Sequence, residues 1–184
     1  MRYVLMLLPV LLVNADGQCA EWHSIDDGSQ FTFETTFEGE PIGGSFRNFD
    51  LQFDFEATNP SASHLIVTVW LNAADMGDPD MNAVLFDQAW FDIEHFGSAV
   101  FESHTMQAQT SDRFVATGTL TLKNVKQSVS VPFVWHRSGN QARMQGEFTL
   151  QRTDFGIGMG EWAAGDTIGI ATHLVFDVLV ETAE

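Results

Sequence analysis

Six histidines, a single cysteine and one scarce arginine carry most of the reactive potential of this 184-residue chain. His23, His64, His95, His104, His136 and His173 are never spaced i,i+2 on a strand or i,i+4 on a helix with an acidic partner. A zinc site would therefore have to be assembled from separate strands, and no metal is expected. No G-x-S-x-G elbow or other nucleophile setting is present. The one stretch with unusual chemistry is RTDFGIGMGEW, residues 152–162, where Arg152 and Asp154 stand beside Gly156, Gly158 and Gly160. Such a glycine run cradles phosphate only between a strand and a helix, usually with a Lys. Here strands flank it on both sides. Two readings remain: the pair fixes a corner between strands, or Arg152 and Asp154 meet the polar head of a ligand.

The elements that must position these residues follow a period of two, the mark of half-buried strands. Phe31, Phe33 and Phe37 alternate, as do Phe49, Leu51, Phe53 and Phe55 against Asp50, Gln52, Asp54 and Glu56. Phe46 is out of phase with Phe49, which places a bulge near Arg47 and Asn48. Leu65 to Leu71 is apolar on both faces. Four more strands follow from Ala99 on, and Pro132 in one of them suggests an edge or bulge. The last run extends from Ile168 to Val180. Between them, Asp78 is a natural N-cap and Pro79 a natural first residue for one short helix, Pro79 to Phe86. Trp90, Phe91, Ile93 and Phe96 anchor the crossing segment that contains it. Eight antiparallel strands on short turns can close into a barrel, and pairing of the first strand (31–37) with the last (168–180) separates that barrel from a two-sheet sandwich.

The N-terminus reads MRYVLMLLPVLLVNADGQCA: a positive Arg2, a short apolar run and small residues at Val13 and Ala15. This is the pattern of an export signal over residues 1–15, with cleavage as late as residue 20, and the run is too short to span a bilayer. Acylation of Cys19 would instead make a lipoprotein, but the preceding Asp-Gly-Gln fits that poorly. Cys19 is also the only cysteine, so the remaining domain has no internal disulfide and no thiol chemistry. A net charge of −17 repels nucleic acid and anionic headgroups, which excludes nucleic acid as a partner. Sixteen Phe and five Trp, by contrast, ask for an apolar interior of unusual size.

Several stretches together resemble one family. EWHSIDDGSQFTF, IGGSFRNFDLQFDF, AWFDIEHFGSAVFES, ATGTLTLKNVKQSV and LQRTDFGIGMGEW are similar, in order and spacing, to the YceI-like proteins. Gly97, where the family has Pro, and Asn124 with Lys126, in place of a Gly-Val-Thr turn, are departures confined to loops. The resemblance implies an all-β, eight-stranded antiparallel lipocalin-like barrel with one short helix over residues 22–182, exported to the periplasm. It implies a binding protein rather than an enzyme. The cargo would be a long apolar lipid: a polyisoprenoid, an isoprenoid quinone or a fatty-acid derivative. No cofactor is required beyond that lipid. A membrane b-type cytochrome and a second copy of the chain, as a homodimer, are the protein partners expected.

Taking the apolar face of each strand as the interior gives a lipid-binding set of Phe53, Phe55, Val67, Val69, Phe101, Phe133, Trp135, Phe148, Leu174 and Phe176. Met81, Leu85, Trp90 and Phe91 would close one side, with Arg152 and Asp154 at the head group. The acidic surface favours a neutral ligand such as a quinone over a polyprenyl phosphate. Two other classes stay open at this point. An enzyme would need His104, His173, Arg152 and Asp154 to converge, and an interaction protein would have a filled interior and act through an outer face around Trp70 and Val134.

Overall fold

A computed structural model describes residues 19–182. The segment read as an export signal, residues 1–15, lies outside the described residues. Ten strands and one helix follow in the order β1 (Ala20–Phe37), β2 (Glu40–Phe46), β3 (Phe49–Phe55), β4 (His64–Trp70), β5 (Ala74–Asp75), α1 (Pro79–Phe86), β6 (Ser98–Ala108), β7 (Arg113–Leu122), β8 (Val125–Ser138), β9 (Gln141–Gln151) and β10 (Ala171–Thr182). Every pairing is antiparallel. The sheet runs β10-β9-β8-β7-β6-β4-β3-β1 and closes through β1 on β10, while β2 and β5 extend it beyond β1. Phe31 lies opposite Phe176 and Phe33 opposite Leu174, so the eight strands form a closed barrel and not a sandwich.

The long first strand makes closure work. Its N-terminal residues Ala20–His23 pair with β3, and its C-terminal residues Thr32–Phe37 pair with β2. β2 and β3 thus act as one bent strand, broken at Arg47 and Asn48 where the Phe46–Phe49 phase shift falls. A second irregularity, between Ile25 and Gln30, bends β1 against β10. Such bulges add the local twist that lets a sheet curl on itself. Pro132 sits where β8 and β9 part company, since their pairing begins only at Val134.

The helix starts and stops where its chemistry dictates. The Asp78 side chain accepts from the Asp80 and Met81 amides at 2.8 and 3.1 Å, and Pro79 occupies the first turn. Only Leu85 of its eight residues is buried.

Apolar side chains fill the barrel in two clusters. At the base lie Trp22, Phe53, Phe55, Phe114, Phe133 and Trp135, with aliphatic neighbours. At the opposite end, the mouth, Phe33, Phe46, Leu71, Leu85, Trp90, Phe91, Phe155 and Ile157 pack beneath the segments 71–98 and 152–170.

Candidate functional site

Between the two clusters the barrel is not filled. A cavity of about 130 Å³ remains, bounded by twenty side chains from the strands and from Leu71 and Phe91, all of them apolar. Strand alternation explains the wall: inward residues repeat at every second position, so Val67 and Val69 on β4, Leu120 and Leu122 on β7, and Leu174, Phe176 and Val178 on β10 stack along the axis. A cavity without polar atoms holds no well-bound water, so an apolar guest displaces nothing of value.

Of the residues selected from sequence, Val67, Val69, Phe91, Phe101, Phe148, Leu174 and Phe176 line this cavity. Phe53, Phe55, Phe133 and Trp135 do not; they are packed solidly together below it. Alternation identifies which face a residue presents but not how deep along the barrel it sits. Leu85 and Trp90 are buried behind the wall at the mouth rather than on it. Met81 is 41% exposed, because α1 turns only Leu85 toward the barrel. Sequence reasoning passed over Phe31, Phe49, Leu51, Leu120, Met144 and Val178, among others of the wall. Each is in phase with a chosen residue on the same or a paired strand, and that phase was the available signal.

The structure does not leave Arg152 free to meet a head group. Arg152 is 5% exposed and spends its guanidinium on backbone carbonyls. Nε donates to Gly169 at 2.9 Å, Nη1 to Ile157 at 2.9 Å and Gly158 at 2.6 Å, and Nη2 to Ile168 at 2.8 Å and to Trp162. No donor of the side chain is left for a ligand. The indole of Trp90 covers it, 5.5 Å from the guanidinium carbon. Burial depresses its pKa from the ordinary arginine value, yet a guanidinium stays charged in any aqueous buffer. Asp154 is exposed, and its backbone carbonyl accepts from Gln127 Nε2 at 3.1 Å. The corner reading of RTDFGIGMGEW is the one the structure bears out. Gly158 shows why glycine is needed: at φ +60° a Cβ would lie 2.5 Å from Arg152 Nη1.

The residues of the enzyme alternative stay apart. His104 is exposed and bonded to Thr119 at 2.7 Å, and His173 lies beside Thr149 and Glu147 on the outer face. Among the described residues no three His, Cys, Asp or Glu side chains are placed to hold a metal ion.

The mouth is strongly acidic. Segment 71–98 carries Asp75, Asp78, Asp80, Asp87, Asp92 and Glu94 without a Lys or Arg, and segment 152–169 adds Asp154, Glu161 and Asp166 beside the engaged Arg152. Asp75 is the organising carboxylate. Asn82 and the Gly77 amide donate to it at 2.9 and 3.0 Å, and Arg47 pairs with it from the β2–β3 bend. These bonds, with Asn82 the largest influence, hold its pKa below the usual carboxylate range.

Comparison with known proteins adds a frame to this geometry. A family model described as YceI-like domain matches residues 22–176. A UPF0312 protein of Ectopseudomonas mendocina is 26% identical over 174 residues, covering 89% of this chain and 90% of its own length. Protein YceI of Salmonella arizonae is 27% identical over 163 residues, covering 82% and 83%. Among solved structures, BcnA of Burkholderia cenocepacia superposes with a TM-score of 0.81 at 22% identity, over 85% of this chain and 98% of that one. A polyisoprenoid binding domain from Saccharophagus degradans, implicated in plant cell wall breakdown, superposes with a TM-score of 0.72 at 12% identity, over 89% and 99%. At these identities the superpositions establish a shared fold.

Proposed function

The chain belongs to the YceI-like family, and from that premise we propose that it binds a long, neutral apolar lipid inside its barrel, as a carrier or store and not as a catalyst. The observation that carries the proposal is the wholly apolar cavity between base and mouth. Each Å² of apolar surface buried there contributes roughly 25 cal/mol, so a chain-shaped guest gains affinity along its whole length without a hydrogen bond. A polyisoprenoid, an isoprenoid quinone or a fatty-acid derivative meets that description. The polyisoprenoid-binding domain of Saccharophagus degradans, which shares the fold, supports the same class. The acidic mouth disfavours a phosphate or free carboxylate head, which leaves quinone-like or other neutral heads.

The periplasm is the proposed compartment, on the strength of the N-terminal sequence. Delivery to or from a membrane b-type cytochrome, and a homodimeric state, belong to the same proposal. Separation of His104, His173, Arg152 and Asp154 supports binding over catalysis. A second reading has one observation in its favour: the lower half of the barrel is packed solid, as it would be in an interaction protein acting on a membrane respiratory partner.

Organic extraction of the protein purified from its native host, with mass spectrometry of the extract, separates the two. The expected result is an isoprenoid quinone or similar neutral lipid in stoichiometric amount. An empty extract, with no thermal shift on adding such lipids, would favour the filled-barrel reading.

A further inference from the structure

The cavity ends on a floor, and the floor is built from two strands that face each other across the barrel. In the closed order β1-β10-β9-β8-β7-β6-β4-β3, strands β3 and β8 are four steps apart in either direction. Leu51 on β3 and Val131 on β8 line the cavity; the next inward residues toward the base are Phe53 and Phe133. Their rings meet with centroids 5.9 Å apart in a T-shaped contact, spanning the interior from wall to wall. Phe55 stacks on Phe53 at 4.6 Å and Phe114 on Phe133 at 5.5 Å, so neither ring has space to swing away. At the same level β6, β7 and β9 contribute only Ser103, Gly118 and Ala142. The small residues leave room for the two rings, and the rings close the section.

We infer that Phe53 and Phe133 act as a chain-length ruler: they fix how much of a long lipid the barrel admits. This rests on the lipid-binding reading and specifies its ligand. The wall extends from Leu65 on β4 to Leu71 just past its end. Six residues at the strand rise, on a strand tilted as in an eight-stranded barrel, span about 15 Å of axis. That is the extended length of a dodecyl chain or a farnesyl-sized isoprenoid, whose bulk exceeds the 130 Å³ of the closed cavity, so wall side chains and the mouth segments must give way as it enters. A longer prenyl tail is not swallowed whole; its surplus stays outside, with the head group, at the acidic mouth.

The test is a homologous series of neutral straight-chain alcohols, hexanol to octadecanol, titrated by calorimetry into the delipidated full-length mature protein. Each methylene that enters the cavity tightens binding by about threefold to fourfold. The gain is expected to stop near dodecanol. In Phe53→Leu and Phe133→Leu, which keep an apolar side chain of lower volume at the floor, the plateau moves to longer alcohols. The unsubstituted protein carries the test if either variant folds poorly. Affinity that climbs without a break to octadecanol, or a plateau that both folded variants leave in place, overturns the ruler while leaving lipid binding intact. Absence of binding at every chain length removes the lipid-binding reading and the ruler together.

Discussion

The two ends of this barrel are closed by different physics. The base is closed by side chains borne on strands: Trp22, Phe53, Phe55, Phe133 and Trp135 interlock at centroid distances of 4.6 to 6.1 Å. Every ring is carried by a backbone already tied into the sheet, so the base cannot open without breaking the barrel. The mouth is closed by connecting segments, and polar contacts hold them. Arg152 gathers five carbonyls of the 157–169 stretch, and Asp75 ties the approach to α1 to Arg47 and Asn82. Connecting segments held by hydrogen bonds and by apolar anchors such as Leu85, Trp90 and Phe155 open at lower cost than an aromatic layer borne on paired strands. A lipid carrier needs that asymmetry: one end that ends the cargo and one end that lets it pass.

Truncating one ring at each end separates the two most directly. Phe53→Ala removes a side chain with no solvent exposure from the base and is expected to cost about 3–5 kcal/mol in chemical denaturation. Phe91→Ala at the mouth removes a ring that already faces the cavity, so fewer contacts are lost, and about 2 kcal/mol is expected. Equal losses would mean that the ends are equally packed.

The polar staple is probed next. Arg152→Lys keeps the charge but supplies three donors from one point where five carbonyls await a planar fork, at a cost of about 2–3 kcal/mol. Gly158→Ala forces a Cβ against the guanidinium at a positive φ and should act on the same segment. Both are expected to accelerate hydrogen exchange in 152–170 while leaving β3 and β8 protected. Uniform loss of protection over the whole barrel would show the staple to be part of the global core.

A weaker effect is expected from pH. Asp75 is held below its ordinary pKa of 3.8, so its contribution is present above that value and is lost as pH falls through the lowered pKa. His95 is raised above 6.5, chiefly by its hydrogen bond to Asp92 at 2.7 Å, so its contribution is present below 6.5 and fades as pH rises through the raised value. Both residues belong to segment 71–98. Its amide protection factors should therefore be greatest between about 3.8 and 6.5, and this maximum should be absent from the base. A flat profile in Asp75→Asn/His95→Gln, together with the wild-type maximum, would assign the effect to these two groups.

Much of this asymmetry was hidden in the sequence, for definable reasons. Period two and capping chemistry are local properties; the first reported the strands and the bend at Arg47–Asn48, the second the helix at Pro79. Barrel closure is a pairing between residues about 150 positions apart, such as Phe31 and Phe176, and no local pattern encodes it; the family resemblance supplied that step. Depth along the barrel was equally silent. Phe53 and Leu51 look equivalent in sequence, yet one is floor and the other wall, because stagger between strands sets their height. Arg152 was conspicuous as a scarce cation, but only the path of residues 157–169 reveals that five carbonyls turn toward it.

The smallest effect is expected on the outer face of α1, and it bears on the one mouth residue that sequence placed inside and the structure places outside. Met81 and Val84 are 41% and 55% exposed, whereas Leu85 is 8% exposed. Three residues apart, Met81 and Val84 share a helix face that looks away from the barrel. Met81→Ser and Val84→Ser should each change stability by no more than about 0.5 kcal/mol, since little buried area is lost. Leu85→Ser, which places a hydroxyl among apolar neighbours, should cost several-fold more. Affinity for dodecanol should remain within about twofold of wild type in the two outer variants, because neither side chain borders the cavity. A larger drop in affinity at unchanged stability would mean that α1 rolls its outer face onto the ligand once the mouth has opened. The mouth would then contribute contacts to the cargo as well as passage, and the contrast with the fixed aromatic base would be sharper still.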